Sequence, residues 1–224
     1  MSASEPQPGR QYGGKSPAER TAGRHQRLLE AGLDLFGTQG YSATSIEALC
    51  RASRVTPRYF YESFSSREEL LAEIYEQLSA ELLGAVSKML GTTEGINVDI
   101  PIAADVTAFF HGLLDDPRRA RIICIEVAGE NPTLERRRQG ILHDFADLIS
   151  AGATQRVRGS ETPPGAFDMV ALAIVGGIYQ VVVDWLSGFI TAPIEEIADE
   201  MTSFIRDALA GVSLRRSGRP TMPR

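Results

Sequence analysis

The chain has 224 residues, 43% of them hydrophobic and 7% aromatic, and 29 acidic against 23 basic side chains leave a formal net charge of -6. That length can bury a core without staples, and the two cysteines, Cys50 and Cys124, are too few for a disulfide scaffold and favour a reducing compartment. No charged and then apolar leader opens the chain, and the most apolar run, Met169 to Val183, is interrupted by Gln180 and closed by Asp184. It is shorter than the roughly 20 residues a bilayer needs, so a cytoplasmic protein with no membrane partner is expected.

Residues 1–16 are rich in Gly, Pro and Ser without apolar period, which predicts a disordered arm. From Arg24 to Gly37, Leu29, Leu33 and Phe36 recur at helical spacing, and Leu28, Ala31 and Leu35 widen the stripe into an amphipathic helix. Gly37 and Gly40 stop it. Thr44 and Glu47 then have capping-box spacing, predicting a short second helix that carries Ile46, Leu49 and Cys50 inward and ends near Ser53. Thr56 followed by Pro57 is a further start signal, so helix, tight turn and helix occur in order.

The third helix lies within TPRYFYESFS, residues 56 to 65, a concentration of four aromatics in a chain with few. Phe60 and Phe64, four apart, face the core. Pro57, Arg58, Tyr61 and Glu62 then point elsewhere, flanked by Tyr59 and Ser63, and form a polar face led by an arginine. Such a face suits the DNA major groove, because Arg can bond guanine bidentately and Tyr can bond phosphate or pack on a thymine methyl. The competing reading is a solvated helix on which Arg58 and Glu62 form an ordinary i, i+4 pair. Ser66 and Glu69 repeat the capping spacing and launch a long helix to about Leu90, with Arg67 in its first turn able to reach a DNA backbone.

Charge is distributed accordingly: residues 1–67 carry nine Lys/Arg against six Asp/Glu, the remainder fourteen against twenty-three. A modestly basic front on an acidic body fits a DNA-contacting head, since the local field steers phosphate.

GLDLFGTQGYSATSIEAL followed by VTPRYFYESFSSREELL resembles the DNA-binding head of the tetracycline-repressor (TetR) family of bacterial transcription regulators, over about residues 24 to 75. The resemblance implies that Pro57, Arg58, Tyr61 and Glu62 face bases or the groove, and that Thr44, Thr56, Tyr59, Ser63 and Arg67 hold phosphates. Two departures matter. In the turn, where the family often has a small residue and glycine, Ser53-Arg54 stands here; Arg54 adds a cation near the DNA backbone and is strained if its φ is positive. After Tyr61, Glu62-Ser63 replaces the family's frequent aromatic or histidine pair, so the family's operator preferences do not transfer.

Beyond Gly91, TTEGINVDIP predicts a loop, and helical patterns run from Ile102 to Leu114, Arg118 to Gly129, Thr133 to Arg158, Pro164 to Gly188 and Pro193 to Val212. Prolines stand at their starts, and no convincing period-two segment occurs, so the chain is expected to be all-α. The expected organisation is the arm 1–16, a three-helix helix-turn-helix domain 17–65, a larger helical effector-binding and dimerisation domain 66–212, and a disordered basic tail 213–224. The resemblance implies that the last two helices pair with their copies in a homodimer, with Ile174, Ile178, Val182, Ile197, Met201, Phe204 and Ile205 at the interface. It also implies a mostly apolar effector cavity among the middle helices, for which Tyr75, Phe110, His111, Cys124, Glu126, Phe145, Tyr179 and Trp185 are candidates. Each of these also fits ordinary packing.

No Ser/His/Asp order, HExxH, P-loop or GxGxxG after a strand is found, and the histidines are isolated from other ligand types. No catalytic residues, metal site or cofactor are therefore expected. The expected function is a sequence-specific regulator of double-stranded DNA, a repressor released from a palindromic operator by a small apolar ligand. An activator or a helical interaction protein on the same scaffold is the alternative.

Overall fold

A computed structural model describes residues 16–91, 101–128, 132–156 and 165–217. Among these residues all regular structure is helical: α1 (Pro17–Gln39), α2 (Ile46–Ser53), α3 (Pro57–Ser63), α4 (Arg67–Gly91), α5 (Pro101–Leu114), α6 (Pro117–Arg121), a π-helical turn (Ile122–Glu126), α7 (Pro132–Arg156), α8 (Asp168–Leu186) and α9 (Ile194–Ser217). The all-α expectation holds. Residues 1–15 of the expected arm and most of the loop after Gly91 lie outside the described residues.

Several boundaries move, each for a local reason. α1 begins at Pro17 instead of Arg24, because Ser16 caps it: its hydroxyl accepts from the Glu19 N–H while Glu19 reaches back to the Ser16 N–H. The cap of α2 falls one residue later than the sequence suggests, on Ser45, whose hydroxyl accepts from Ala48 N–H at 3.1 Å. Thr44 is fully buried and donates instead to the Gly40 carbonyl at 2.8 Å. The helix expected from Arg118 to Gly129 is α6 continued by the π turn. α8 starts at Asp168, after Gly165 turns at φ 79°, and α9 runs on to Ser217, taking in residues 213–217 of the expected tail.

Two apolar clusters organise the molecule. One joins α1, α2 and α3 through Leu28, Phe36, Leu49, Val55, Phe60 and Phe64 to the first half of α4, and Ile122, Val127 and Leu134 complete it. The other gathers Leu82, Phe110, Leu113, Cys124, Val182 and Ile197 from α4, α5, the π turn, α8 and α9. Because α4 and the π turn contribute to both, the head is packed onto the body, not strung from it. Fully burying each large side chain is worth about 1.5–3 kcal/mol, so this shared core ties the two parts firmly together.

Candidate nucleic-acid interface and its link to the body

α3 is held by its aromatics. Phe60 is fully buried and Phe64 is 2% exposed, and the two rings lie 6.0 Å apart. His25 of α1 stacks on Phe64 at 4.7 Å and bonds the Glu73 carboxylate of α4 at 2.8 Å, pinning the end of α3 between two longer helices. Anchoring those two rings forces the remaining positions outward, where Pro57, Arg58, Tyr59, Tyr61 and Glu62 are exposed and Ser63 is half-buried.

The exposed face is differentiated. The Arg58 side chain is 86% exposed and its Nε donates to the Glu62 carboxylate at 3.2 Å, so the ordinary i, i+4 pair does form. Such a pair at the surface is worth only a few tenths of a kcal/mol and yields readily to a better acceptor. Tyr61 is 58% exposed, its ring edge-on to Phe60. The Tyr59 ring carries the Arg24 guanidinium at 4.1 Å, which brings onto this face an arginine that sequence spacing did not single out. The Ser63 hydroxyl donates to the Tyr59 carbonyl at 3.1 Å, and the Thr56 hydroxyl makes no capping bond. Arg54 closes the turn at φ 55°, ψ 39°, the strained left-handed conformation anticipated for it.

Two expected phosphate contacts have other duties. Thr44 has no exposed surface, and its hydroxyl is committed to Gly40. Arg67 donates to the carbonyls of Tyr41, at 3.1 Å, and of Thr44, with its guanidinium 4.8 Å from the Tyr41 ring centre, so it braces the turn between α1 and α2.

Residues 28–74 match the family model of bacterial regulatory proteins, tetR family. Over those residues the head is similar to the regulatory proteins of that family. No curated protein matches the chain by sequence. Similarity to solved structures extends beyond the tetR head. The fatty acid degradation regulator FadR of Bacillus halodurans superposes with a TM-score of 0.67 at 16% identity, covering 88% of this chain and 97% of its own. FadR of Bacillus subtilis, in complex with stearoyl-CoA, gives 0.68 at 15% identity, covering 84% and 98%. A TetR-like regulator from Rhodococcus sp. RHA1 gives 0.64 at 20% identity, covering 84% and 96%. At these identities what is shared is the fold: a tetR head followed by a helical body.

In the body, the candidate effector residues separate. Tyr75 and Cys124 are buried, and with Tyr179 they converge from α4, the π turn and α8 on Arg138 of α7, whose guanidinium lies 5.2 Å from the Tyr179 ring centre. Tyr179 donates its hydroxyl to the Cys124 carbonyl at 2.7 Å. Burial pushes the Cys124 thiol up to about 12 and raises the Tyr75 and Tyr179 phenols above their ordinary values, leaving all three neutral at physiological pH. Phe110 is fully buried in the second cluster, and Phe145 is half-buried against it.

The other three have partners of their own, Trp185 while also packing against the second cluster. His111 lies on the surface of α5, paired with Asp115 at 3.1 Å, because one residue past Phe110 a helix has turned away from the core. Trp185 donates to the Ala192 carbonyl at 3.1 Å and fastens the turn between α8 and α9. Glu126 belongs to the joint between body and head: its carboxylate, 8% exposed, accepts from the Tyr41 N–H and from Arg121 Nε, both at 2.6 Å.

The last two helices also divide. Ile174, Val182 and Ile197 are buried within the chain and cannot be surface contacts, whereas Ile178, Met201 and Ile205 are half-buried and Phe204 is exposed. α8 is long and apolar enough by composition to cross a membrane, yet its outer stripe, Met169, Leu172, Ala173, Gly176 and Gln180, is left uncovered while its inner one packs on α7 and α9.

Proposed function

We propose that this protein is a homodimeric, sequence-specific DNA-binding transcription regulator, a repressor released from a palindromic operator by a small, largely apolar ligand. The observation that carries the reading is the outward face of α3, an 86% exposed Arg58 beside a 58% exposed Tyr61, on a helix whose opposite face is locked by Phe60 and Phe64. Arg58 exchanges Glu62 for a guanine edge, Tyr61 and Pro57 pack on neighbouring bases, and Glu62, once freed, accepts from a cytosine amino group. Arg54, Thr56, Tyr59 and Ser63 contact the backbone and set register, and Arg67 supports them by bracing the turn before α2.

Two heads related by a two-fold axis would read two half-sites about one helical turn apart. The uncovered stripe of α8, with the exposed Phe204 of α9, supports pairing with a second copy, since an apolar face of that length is stabilised by burial. Stearoyl-CoA in the Bacillus subtilis relative makes a long acyl chain the first ligand to try, with Tyr75, Phe110, Phe145 and Tyr179 in the body beside it. The ligand acts by favouring a head spacing that fits the operator badly, and it shifts that equilibrium by no more than its differential affinity for the two states.

A gel-shift titration on the DNA flanking the protein's own gene, with unrelated DNA in excess, tests the reading. Competitor-resistant binding that Arg58→Ala weakens is the expected result; binding no tighter than to competitor would count against it.

A further inference from the structure

Glu126 is a buried carboxylate whose two oxygens look in different directions. One accepts the backbone N–H of Tyr41, eighty-five residues earlier, in the turn between α1 and α2; the other accepts from Arg121 Nε, at the edge of its own element. Tyr41 in turn is held by Arg67, which bonds its carbonyl and lies over its ring, and Arg67 also bonds the Thr44 carbonyl just before α2. A carboxylate from the body thus enters the bonding of the turn that launches the helix-turn-helix pair.

The pairing of Arg121 with Glu126 depends on the π register. In an α-helix residues five apart stand about 140° apart around the axis, on different faces. In the wider π turn, closed by i to i+5 bonds, they face one another, which allows the 2.6 Å contact between these two. Restoring α geometry would rotate the downstream end of the turn by about 100°, one residue's worth, and swing Glu126 away from Tyr41.

The same turn is bonded from the other side. The Tyr179 hydroxyl of α8 donates to the Cys124 carbonyl at its centre, and Arg138 of α7 lies over the Tyr179 ring. Cys124 is 4% exposed, so without Tyr179 that direction offers its carbonyl little water.

We infer that the π turn Ile122–Glu126 is the coupling element between body and head, with Tyr179 setting its register at Cys124 and Glu126 transmitting that register to the Tyr41 N–H. Tyr179 and Glu126 are positioning residues: neither needs to touch DNA. As regulation, this rests on the reading that a ligand in the body governs the head, since whatever draws the Tyr179 hydroxyl off Cys124 would loosen the start of α2.

The test needs neither ligand nor DNA, so its failure is distinct from failure of the gel shift. Amide hydrogen exchange is measured residue by residue on the full chain, for wild type, Glu126→Ala and Tyr179→Phe. Tyr179→Phe, which removes one hydroxyl, is expected to speed exchange at Tyr41 by tenfold or more, as Glu126→Ala does, while Leu28 and Phe36 in the core of α1 stay protected. Unchanged exchange at Tyr41 in Tyr179→Phe would make the π turn a static strut and overturn the inference. So would faster exchange at Tyr41 matched by an equal rise at Leu28 and Phe36, which signals general loosening. If Glu126→Ala, which removes the acceptor, leaves Tyr41 protected, the transmitting bond is unimportant and the inference falls as well.

Discussion

Gly37 of α1 and Arg118 of α6 meet backbone to backbone: a Cβ placed on Gly37 would stand 2.4 Å from the Arg118 Cβ and 2.8 Å from its Cα. No rotamer relieves a clash with main chain, so Gly37→Ala must push the two helices apart. Overpacking of this kind costs about 1–3 kcal/mol, to be read as a lower urea midpoint. A midpoint equal to wild type would show that the joint gives without cost.

Arg54 holds φ 55° as the left-handed cap of α2, a conformation that costs an L-residue roughly 1–2 kcal/mol and glycine almost nothing. Glycine returns part of that gain through its looser unfolded state, about 0.5–1 kcal/mol. Arg54→Gly is therefore expected to stabilise the chain by up to about 1 kcal/mol in chemical denaturation while weakening DNA binding through loss of a cation. A less stable variant would mean that Arg54 makes a compensating contact.

Because the Arg58 and Glu62 pair is exposed, removing it should leave stability within about 0.5 kcal/mol of wild type. Arg58→Ala should nonetheless cost operator binding about 1–3 kcal/mol and relax preference at one base pair, whereas Arg54→Ala should weaken all sequences alike and flatten the salt dependence. Fluorescence anisotropy on operator and scrambled duplexes separates the two. Equal losses on both duplexes for Arg58→Ala would move it from base reader to phosphate contact.

Phe204 is 43% exposed and its ring lies over Gly177, 3.7 Å from where a Cβ would be, on the uncovered side of α8. Phe204→Glu combined with Leu172→Glu places two charges on that face and should convert a dimer to a monomer in sedimentation velocity, with helicity unchanged. A dimer that survives both charges must be built on another surface.

Asp116 caps α6 by accepting from the Arg118 N–H and pairs with the Arg118 side chain, which also bonds Asp34 of α1. Arg118 side-chain bonding holds the Asp116 carboxyl below the usual carboxylate range. A depressed folded value makes the stability it contributes fully present above the ordinary Asp value of about 4, and lost as pH falls through the lower folded one. The stability difference between wild type and Asp116→Asn should therefore shrink as pH falls below about 4. A difference that stays constant as pH falls below about 4 would place the stabilisation elsewhere.

Much of the head was legible in the sequence because its signals are local. Thr56 before Pro57, Ser66 before Glu69, and the spacing of Phe60 and Phe64 each act within four residues, and α3, α4 and the buried ring pair stand where those signals put them. Strain at Arg54 was legible only conditionally, through the resemblance to a family that often has a glycine in this turn, and its φ of 55° meets that condition. What the sequence could not decide is where side chains able to satisfy themselves in two ways would go. Thr44 had the spacing of a cap, but the fold buries it against Gly40, and Ser45 does the capping instead. Glu126 looked like a polar handle in an apolar body, yet its partner is a backbone amide eighty-five residues away, which no local pattern encodes. An apolar helix such as α8 likewise carries no mark of which stripe its own chain will cover, and only the packing of α7 and α9 separates the buried Ile174 and Val182 from the bare Leu172 and Gly176. Local bonding and periodicity determined the helices; contacts between residues distant along the chain decided the joint and the exposed face.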